Sequence, residues 1–322
     1  MKAPPTMMPP MPDPAPPPSP PTGPMRVFDR RLHAQRRARA AAGFEAHDFL
    51  VSRAAADIAE RIGAINRSFP AALDLGCHRG ALAAALPKTA DKVGMLVSAD
   101  IAPAMLAHAP NIRVAADEEA LPFRDASLDL VSSVLSLHWV NDLPGALIQI
   151  RRALKPDGLF MAALFGGDTL TELRQALAEA EIECEGGLSP RISPFADIRD
   201  MGSLLQRAGF ALPVVDTDRV VVRYADPLKL MAELRGMGET NALMERRRTP
   251  MRRSTLDRAI EIYRKKFGLP DGRVPATFEI VTATGWAPHE NQPKPLRPGS
   301  AETRLAEALG TSERKAGEKV GR

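Results

Sequence analysis

The chain has 322 residues, a formal net charge of +4 and 44% hydrophobic residues. This length suffices for one large α/β domain or two small ones, and the hydrophobic share excludes a chain that is disordered throughout. The two cysteines, Cys77 and Cys184, lie far apart without Cys-x-x-Cys spacing, which is typical of a reducing compartment and predicts no zinc site. No apolar run approaches the roughly 18 residues that a membrane-spanning helix needs, although peripheral contact with a membrane stays open.

The two ends of the chain differ in composition from its middle. We expect residues 1–25 to form a disordered tail, because their many prolines prevent helices and sheets. This tail lacks the apolar segment of a secretory signal and the Arg- and Ser-rich pattern of a mitochondrial transit peptide. The composition favours a bacterial cytoplasmic protein, with the mitochondrial matrix as the alternative. Residues 291–322 are predicted to be a second flexible tail, which leaves one domain over residues 26–290.

The domain is predicted to begin with two helices, at residues 29–42 and 49–65. In the second helix, apolar residues recur at helical spacing and should face a sheet. These residues are Leu50, Ala54, Ile58 and Ile62. Residues 26–39, which overlap the first helix, and residues 246–253 are rich in arginine. We interpret both segments as solvated faces, with a docking surface for an acidic partner as the alternative. An aromatic content of 5% and the lack of a known nucleic-acid-binding motif argue against nucleic acid as the partner.

Residues 71–80 are the most informative stretch, because they predict a strand followed by a glycine turn and a helix. That arrangement is how an α/β sheet builds a nucleotide site. Asp74, at the end of the strand, would repel a pyrophosphate but suits a ligand that carries an amine, a sulfonium and a ribose. The stretch therefore favours S-adenosylmethionine (SAM) over NAD. We expect Asp74, Gly76 and Gly80 to cradle the methionine portion of SAM.

Further acidic residues follow the next two predicted strands. Asp100 comes directly after the strand at residues 93–99, where a carboxylate can accept both ribose hydroxyls. Asp117 and Glu118 follow the short strand Ile112–Ala115. We expect Asp117 to bind the adenine amine, while Glu118 either binds with it or caps a helix. Acids at three successive strand ends strengthen the prediction of SAM binding.

The rest of the chain predicts four more strands and several helices. The strands are residues 128–134, 159–164, 213–224 and 277–285. The later helices are residues 169–183, 197–208 with Asp197 as the cap, 227–236 and 255–267. Together these elements predict an α/β fold with a seven-stranded, doubly wound sheet and helices on both faces. Residues 70–165 would form the SAM-binding core, and residues 166–275 would add substrate or cap insertions.

Several motifs resemble those of known methyltransferases. Those shared with class I SAM-dependent methyltransferases are Asp74-Leu75-Gly76-Cys77, Asp100, residues 116–123 and residues 154–158. Those that resemble the complex I assembly factor 5 branch are residues 136–144, 165–174, 185–195, 236–239 and 274–277. The likeness runs from about residue 27 to about residue 300. The biotin-pathway methyltransferases that act on malonyl-carrier protein are similar, but less closely.

The resemblance implies a Rossmann-like class I methyltransferase fold, SAM as the cofactor, and a client that is a subunit of respiratory complex I. The mitochondrial member of that branch hydroxylates an arginine, so the resemblance leaves methyl transfer and arginine hydroxylation both open. O-methylation of a small molecule or a carrier protein, and a non-enzymatic assembly chaperone, are further alternatives. One departure is His78, where the usual turn has glycine; its side chain would either crowd the methionine end of SAM or point outward.

Candidate substrate residues follow the fourth and fifth strands. His138 and Trp139 lie where a substrate would enter over the cofactor. We interpret His138 as a proton acceptor near neutral pH or as a packed core histidine, and Trp139 as a wall of the site. Asp168, Glu172 and Glu185 lie in the branch-specific segments and could hold a guanidinium through paired carboxylates, with surface solvation as the alternative. Asp168 is also a second catalytic candidate, and no metal ligands are predicted.

Overall fold

The computed structural model describes residues 26–86, 92–110, 112–195 and 198–293, together with residues 307, 310 and 311. The predictions for the proline-rich tail, for almost all of the C-terminal tail and for the Asp197 cap lie outside these residues. The described helices are α1 Arg30–Ala40, α2 Phe49–Ala64, α3 Ala81–Ala85, α4 Pro103–Leu106, α5 Leu143–Ala153, α6 Thr171–Glu185, α7 Ile198–Arg207, α8 Pro227–Gly236 and α9 Arg253–Phe267. The described strands are β1 Phe69–Leu75, β2 Val93–Asp100, β3 Ile112–Ala115, β4 Leu128–Val134, β5 Leu154–Phe165, β6 Ala211–Tyr224 and β7 Val274–Trp286.

The strands form one seven-stranded sheet in the order β3-β2-β1-β4-β5-β7-β6. Strands β1 to β5 run parallel to one another, and β7 runs antiparallel to both β5 and β6. The predicted sheet is thereby confirmed. Strand β5 starts earlier than predicted, because Leu154 already pairs with Leu128 before an irregularity in the pairing of β4 with β5. Residues 155–158, part of the motif at residues 154–158, lie within that irregularity.

Helices cover both faces of the sheet, as predicted. On one face, α2, α6 and α9 pack their apolar side chains against the strands. On the other face, α5 and α7 form a second apolar cluster with β1, β4 and β5. The predicted inward positions of α2 are confirmed, since Leu50, Ala54, Ile58 and Ile62 are all buried.

The carboxyl ends of the parallel strands meet at one edge of the sheet. The order of the strands reverses on either side of β1, which pairs with β2 and with β4. In open α/β sheets, ligands bind at such a reversal, outside the carboxyl ends of the strands. The predicted acids lie at this edge, with Asp74 at the end of β1 and Asp100 at the end of β2.

Helix α1 is buried against this same edge, which its arginine-rich sequence does not predict. Asp29 caps the helix, because its Oδ1 accepts a hydrogen bond from the backbone N–H of Leu32 at 3.0 Å. The helix buries His33 and Arg37 completely. The ring of His33 stacks on that of Trp139, with 4.6 Å between the ring centroids. The expectation that the basic residues of this helix are solvated is therefore wrong for Arg37.

Candidate active site

Asp74 is a buried carboxylate without a hydrogen-bond donor. It is 0% exposed, and neither of its oxygens has a hydrogen-bond partner among the described residues. Burial raises its pKa to about 8, and the negative charge of Asp100 adds to the rise. Buried polar groups in folded proteins are nearly always paired, so an unpaired carboxylate at the switch point of a sheet indicates a place for a cationic donor.

Asp100 has all of its hydrogen-bonding capacity in use. Its Oδ1 accepts from Nε of Arg37 at 3.3 Å and from the backbone N–H of Ala102 at 2.8 Å. Its Oδ2 accepts from Nη2 of Arg37 and from the backbone N–H of His78 at 3.0 Å. A carboxylate offers about four acceptor sites. Asp100 can therefore accept hydrogen bonds from ribose hydroxyls only when Arg37 breaks its hydrogen bonds to this carboxylate.

Arg37 carries a buried positive charge among carboxylates from three parts of the chain. Burial opposes that charge, but Asp100, Glu118 and Glu239 overcome the effect and raise the pKa of Arg37 above its ordinary value. Its Nη1 has no hydrogen-bond partner among the described residues. One end of this guanidinium is therefore paired with Asp100, and the other end is an unused donor.

Asp117 and Glu118 are also paired with an arginine of α1. Nη2 of Arg30 donates to Oδ1 of Asp117 at 2.7 Å and to Oε2 of Glu118. The hydroxyl of Ser136 donates to Oε1 of Glu118 at 2.7 Å. Residues 117–120 form a turn closed by the backbone bond from Ala120 to Asp117 at 3.0 Å. The expectation that Glu118 caps a helix is wrong, since no helix begins there; its carboxylate is buried in the site.

The two glycines of the turn have backbone conformations that side chains disfavour. Gly76 has a φ of +72° and Gly80 a φ of +87°, in the left-handed region that glycine adopts without strain. A Cβ on Gly76 would overlap the side chain of Ser136, and one on Gly80 would overlap Pro110. The packing of the turn itself therefore requires glycine at both positions. The contact of these glycines with a cofactor stays a prediction.

His78 points into the protein, so the outward alternative is wrong. It is 1% exposed with a φ of 52°, and its Nε2 lies 2.9 Å from the carbonyl oxygen of Val134. Its ring stacks on Phe44, with the centroids 5.2 Å apart. Burial lowers the pKa of His78 to about 3, and the charge of Arg37 contributes. The ring is therefore neutral, with Nε2 donating to Val134.

A further buried carboxylate, that of Glu239, contacts both predicted substrate residues. Its Oε2 lies 3.2 Å from Nε2 of His138 and accepts a hydrogen bond from Nε1 of Trp139 at 2.8 Å. Burial acts to raise the pKa of Glu239, but His138 and then Arg37 outweigh it and hold the pKa below its ordinary value. Glu239 lies in the family motif at residues 236–239, but no local sequence pattern marks it as a site residue.

An apolar cavity of about 290 Å³ borders Glu239. Most of its lining is aromatic or aliphatic, from residues that include Trp139, Phe165, Leu173, Phe195, Met251 and Phe278. Pockets with apolar walls and a few placed polar groups are typical ligand sites. An apolar wall that ends at a carboxylate suits a ligand with an aliphatic stem and a cationic head.

Asp168, Glu172 and Glu185 do not form the paired guanidinium site that was expected. Glu172 is buried and accepts hydrogen bonds from the backbone N–H and the hydroxyl of Thr277, at 3.0 and 2.6 Å. Glu185 pairs with Arg247. Asp168 is exposed, and Glu172 and Glu185 lie at opposite ends of α6, about 20 Å apart along its axis. These acids therefore do not converge on one ligand.

The contacts of Glu172 predict a structural effect of its removal. We expect Glu172→Ala to lower the free energy of unfolding by about 2–3 kcal/mol, because two buried donors of Thr277 lose their acceptor. Urea denaturation measures the change. The matched control is Asp168→Ala at an exposed position, with an expected change below about 0.5 kcal/mol. An unchanged stability in Glu172→Ala would contradict this assignment.

The described residues contain neither a cluster of metal ligands nor a membrane-spanning helix. No three or more His, Cys, Asp or Glu side chains in that part of the chain are grouped as metal ligands would be. No helix there is long and apolar enough to cross a membrane. Cys77 and Cys184 are both free, and burial, followed by the charges of Asp74 and Asp100, raises the pKa of the Cys77 thiol.

Comparison with known proteins agrees with this geometry. A family model described as a methyltransferase domain matches residues 73–162, so the fold and the strand-end acids define a methyltransferase-fold enzyme. The human mitochondrial arginine-hydroxylase NDUFAF5 is 46% identical over 290 residues, which cover 88% of this chain and 83% of that protein. The Danio rerio protein of the same name is 43% identical, covering 88% and 89%. The chain belongs to the NDUFAF5 arginine-hydroxylase family.

More distant similarities support the same fold. The malonyl-[acyl-carrier protein] O-methyltransferase of Halorhodospira halophila is 40% identical over 222 residues, covering 66% of this chain and 73% of that one. Among solved structures, Haemonchus contortus phosphoethanolamine N-methyltransferase 2 in complex with S-adenosylhomocysteine has a TM-score of 0.51 at 16% identity, covering 82% of this chain and 61% of that chain. The YcgJ protein of Bacillus subtilis has a TM-score of 0.50 at 15% identity, covering 73% and 98%.

Proposed function

We propose that this enzyme modifies an arginine side chain of a protein client, and that the client is a subunit of respiratory complex I during its assembly. The support for an arginine substrate is the family, whose human and Danio rerio members are named arginine hydroxylases. The support for a complex I client is the set of branch-specific motifs in the sequence. The relatives are named as mitochondrial, and we propose the bacterial cytoplasm or the mitochondrial matrix as the compartment.

The apolar cavity beside Glu239 carries the proposal for an arginine substrate. An arginine side chain is an aliphatic stem that ends in a planar guanidinium with five N–H donors. The apolar walls can bury the stem, and Glu239 can accept from the head. His138 and Trp139 occupy Oε2 of Glu239, while its Oε1 makes no hydrogen bond to the described residues. That oxygen is the acceptor we assign to the guanidinium.

Two reactions at that arginine are candidates. Hydroxylation, which the names of the relatives favour, inserts one oxygen atom and needs an oxidant. Methyl transfer, which the match to a methyltransferase domain favours, adds one methylene in net composition. In methyl transfer the substrate nitrogen loses a proton, and Nδ1 of His138, which has no partner among the described residues, can accept it. We propose hydroxylation as the first candidate and methyl transfer as the second.

We propose SAM as the cofactor, because the residues at the strand ends match its chemistry. The unpaired carboxylate of Asp74 suits its ammonium group, Asp100 suits the ribose, and Asp117 with Glu118 suits the adenine amine. When bound, SAM supplies an electrophilic methyl group on a positively charged sulfur. Asp100 and Glu118 are both paired with arginines of α1. The ion pairs with α1 must therefore open, or share their carboxylates, when the ribose and adenine bind.

Peptide mass spectrometry of complex I subunits tests the proposal. We expect one arginine peptide to be heavier by one oxygen atom in the strain that carries this protein, and to lack that mass in a deletion strain. A gain of one methylene would establish methyl transfer instead. Identical peptides in both strains would contradict the complex I client and would favour a small-molecule or carrier-protein substrate, or a non-enzymatic chaperone.

A further inference from the structure

A second cavity, of about 630 Å³, lies between α1 and α8 and has a basic lining. Arg36, Arg39 and Arg235 line this basic cavity, and no acidic residue does so among the described residues. His47 also lines it, but its ring faces the carboxylate of Glu233 at 3.0 Å. The three arginines are therefore the charges that the basic cavity offers to a ligand.

These arginines have no carboxylate partner in the described part of the chain. Arg36 is half-buried, and its Nη1 donates to the backbone carbonyl oxygen of Asn241. Arg39 and Arg235 are exposed, and their side chains make no hydrogen bond or ion pair to a described residue. Burial lowers the pKa of Arg36, and the charges of Arg246 and Arg39 lower it further. Like charges held together without counter-charges are unfavourable, so the cluster indicates an anionic ligand.

The basic cavity adjoins the apolar cavity that ends at Glu239. Arg235 and Thr240 line both cavities. Asn241, whose carbonyl oxygen accepts from Arg36, lines the apolar cavity as well. A client segment that places its arginine beside Glu239 therefore lies within reach of the basic cavity.

We infer that the basic cavity binds the carboxylate of an acidic residue close to the target arginine in the client chain. Since an extended chain advances about 3.3 Å per residue, an acid within about four residues of that arginine can reach the neighbouring cavity. Guanidinium groups bind carboxylates through paired hydrogen bonds. The inference rests on the proposed arginine substrate, and it adds a requirement on the residues that flank it.

The two cavities then have opposite charges, which gives the client segment a fixed register. The cationic head of the target arginine lies at Glu239, and the flanking acid lies at Arg39 and Arg235. Shifting the segment along the enzyme would bring like charges together, and such contacts suppress wrong pairings. The basic cavity therefore selects which arginine of the client is modified.

A purely structural role for these arginines predicts a different result. Arg39 and Arg235 lie in the last turns of α1 and α8, where a cation stabilises the end of a helix. If they do only this, their removal should lower stability, and the affinity for a client peptide should not depend on acidic flanks. The two roles therefore differ in a binding preference.

Calorimetric titration of the full chain with three short synthetic peptides tests the inference. The first peptide has a central arginine flanked by glutamates, the second has glutamines in place of the glutamates, and the third keeps the glutamates but has glutamine in place of the arginine. We expect the native protein to bind the first about 5- to 20-fold more tightly than the second at low ionic strength, the effect of two partly exposed ion pairs.

Two double variants show whether the basic cavity causes this preference. In Arg39→Gln with Arg235→Gln, the preference should fall below about twofold, since the exposed donors are lost. The matched control is Arg223→Gln with Arg264→Gln, which removes two exposed arginines of β6 and α9 that line neither cavity. Both variants lose the same charge, so the control should keep the preference of the native protein.

Equal affinities of the native protein for the first two peptides would overturn the inference, whether or not a variant folds. A preference that persists without Arg39 and Arg235, or that the control loses equally, would overturn it too. Binding of the third peptide as tightly as the first would instead overturn the arginine substrate, and absence of binding by all three would overturn both. A preference lost in the first double variant and kept in the control would establish the inference.

Discussion

Glu239→Gln is expected to reduce modification of the client arginine by at least about 100-fold, equivalent to about 3 kcal/mol. The glutamine keeps the volume of the side chain, and its amide oxygen can still accept from Nε1 of Trp139, which donates to Glu239 at 2.8 Å. What it removes is the negative charge beside the apolar cavity. A neutral amide cannot hold a guanidinium as a carboxylate does.

The comparison of Glu239→Gln with the native protein should include two readouts and one matched control variant. Mass spectrometry of the client peptide measures turnover, and Trp139 fluorescence in a Trp286→Phe background reports whether the cavity is intact, since the chain has two tryptophans. The control is Glu233→Gln on α8, whose carboxylate faces His47 at 3.0 Å and does not line the cavity. Full turnover in Glu239→Gln would contradict the assignment of the cavity to arginine.

The fold is predictable from the sequence because its signals are local. Residues 71–86 combine strand, turn and helix composition in one short stretch, and apolar spacing in α2 marks its buried face. Parallel strands then bring their carboxyl ends to one edge. The positions of Asp74 and Asp100 follow from those rules alone, and the structure places both at that edge.

The partners of the site residues are not predictable in the same way. Arg37 lies 63 positions from Asp100, and His138 lies 101 positions from Glu239. No periodicity or local spacing relates residues so far apart, because only the tertiary packing of α1 and of the segment after α8 brings them together. An arginine-rich helix is usually solvated, so α1 gives no sign that one of its arginines is fully buried. The structural role of Glu172 is not predictable for the same reason, since its partner Thr277 lies on a strand 105 positions away.

Asp74→Asn is expected to change both the cofactor affinity and its pH dependence. Burial and the charge of Asp100 raise the pKa of Asp74 to about 8 in the ligand-free protein, so the carboxylate is mainly protonated at pH 7. An ammonium group binds the ionised form. The affinity of the native protein for S-adenosylhomocysteine should therefore rise about tenfold from pH 6 to pH 7 and about fivefold from pH 7 to pH 8. The asparagine variant should bind at least about 10-fold more weakly at pH 8 and show no such slope.

The raised pKa of Asp74 also determines whether the ligand-free protein gains or loses stability as the pH rises. Between about pH 4 and pH 8 the unfolded chain ionises Asp74, while the folded protein keeps it protonated. The folded state then binds more protons than the unfolded state, so this residue makes stability fall as pH rises through that window, by at most about 1.4 kcal/mol per pH unit. Urea denaturation of both proteins isolates the effect, because Asp74→Asn lacks the titrating group. Parallel stability curves from pH 5 to pH 8 would show that Asp74 is ionised throughout, and would remove the buried, unpaired carboxylic acid on which the ammonium site rests.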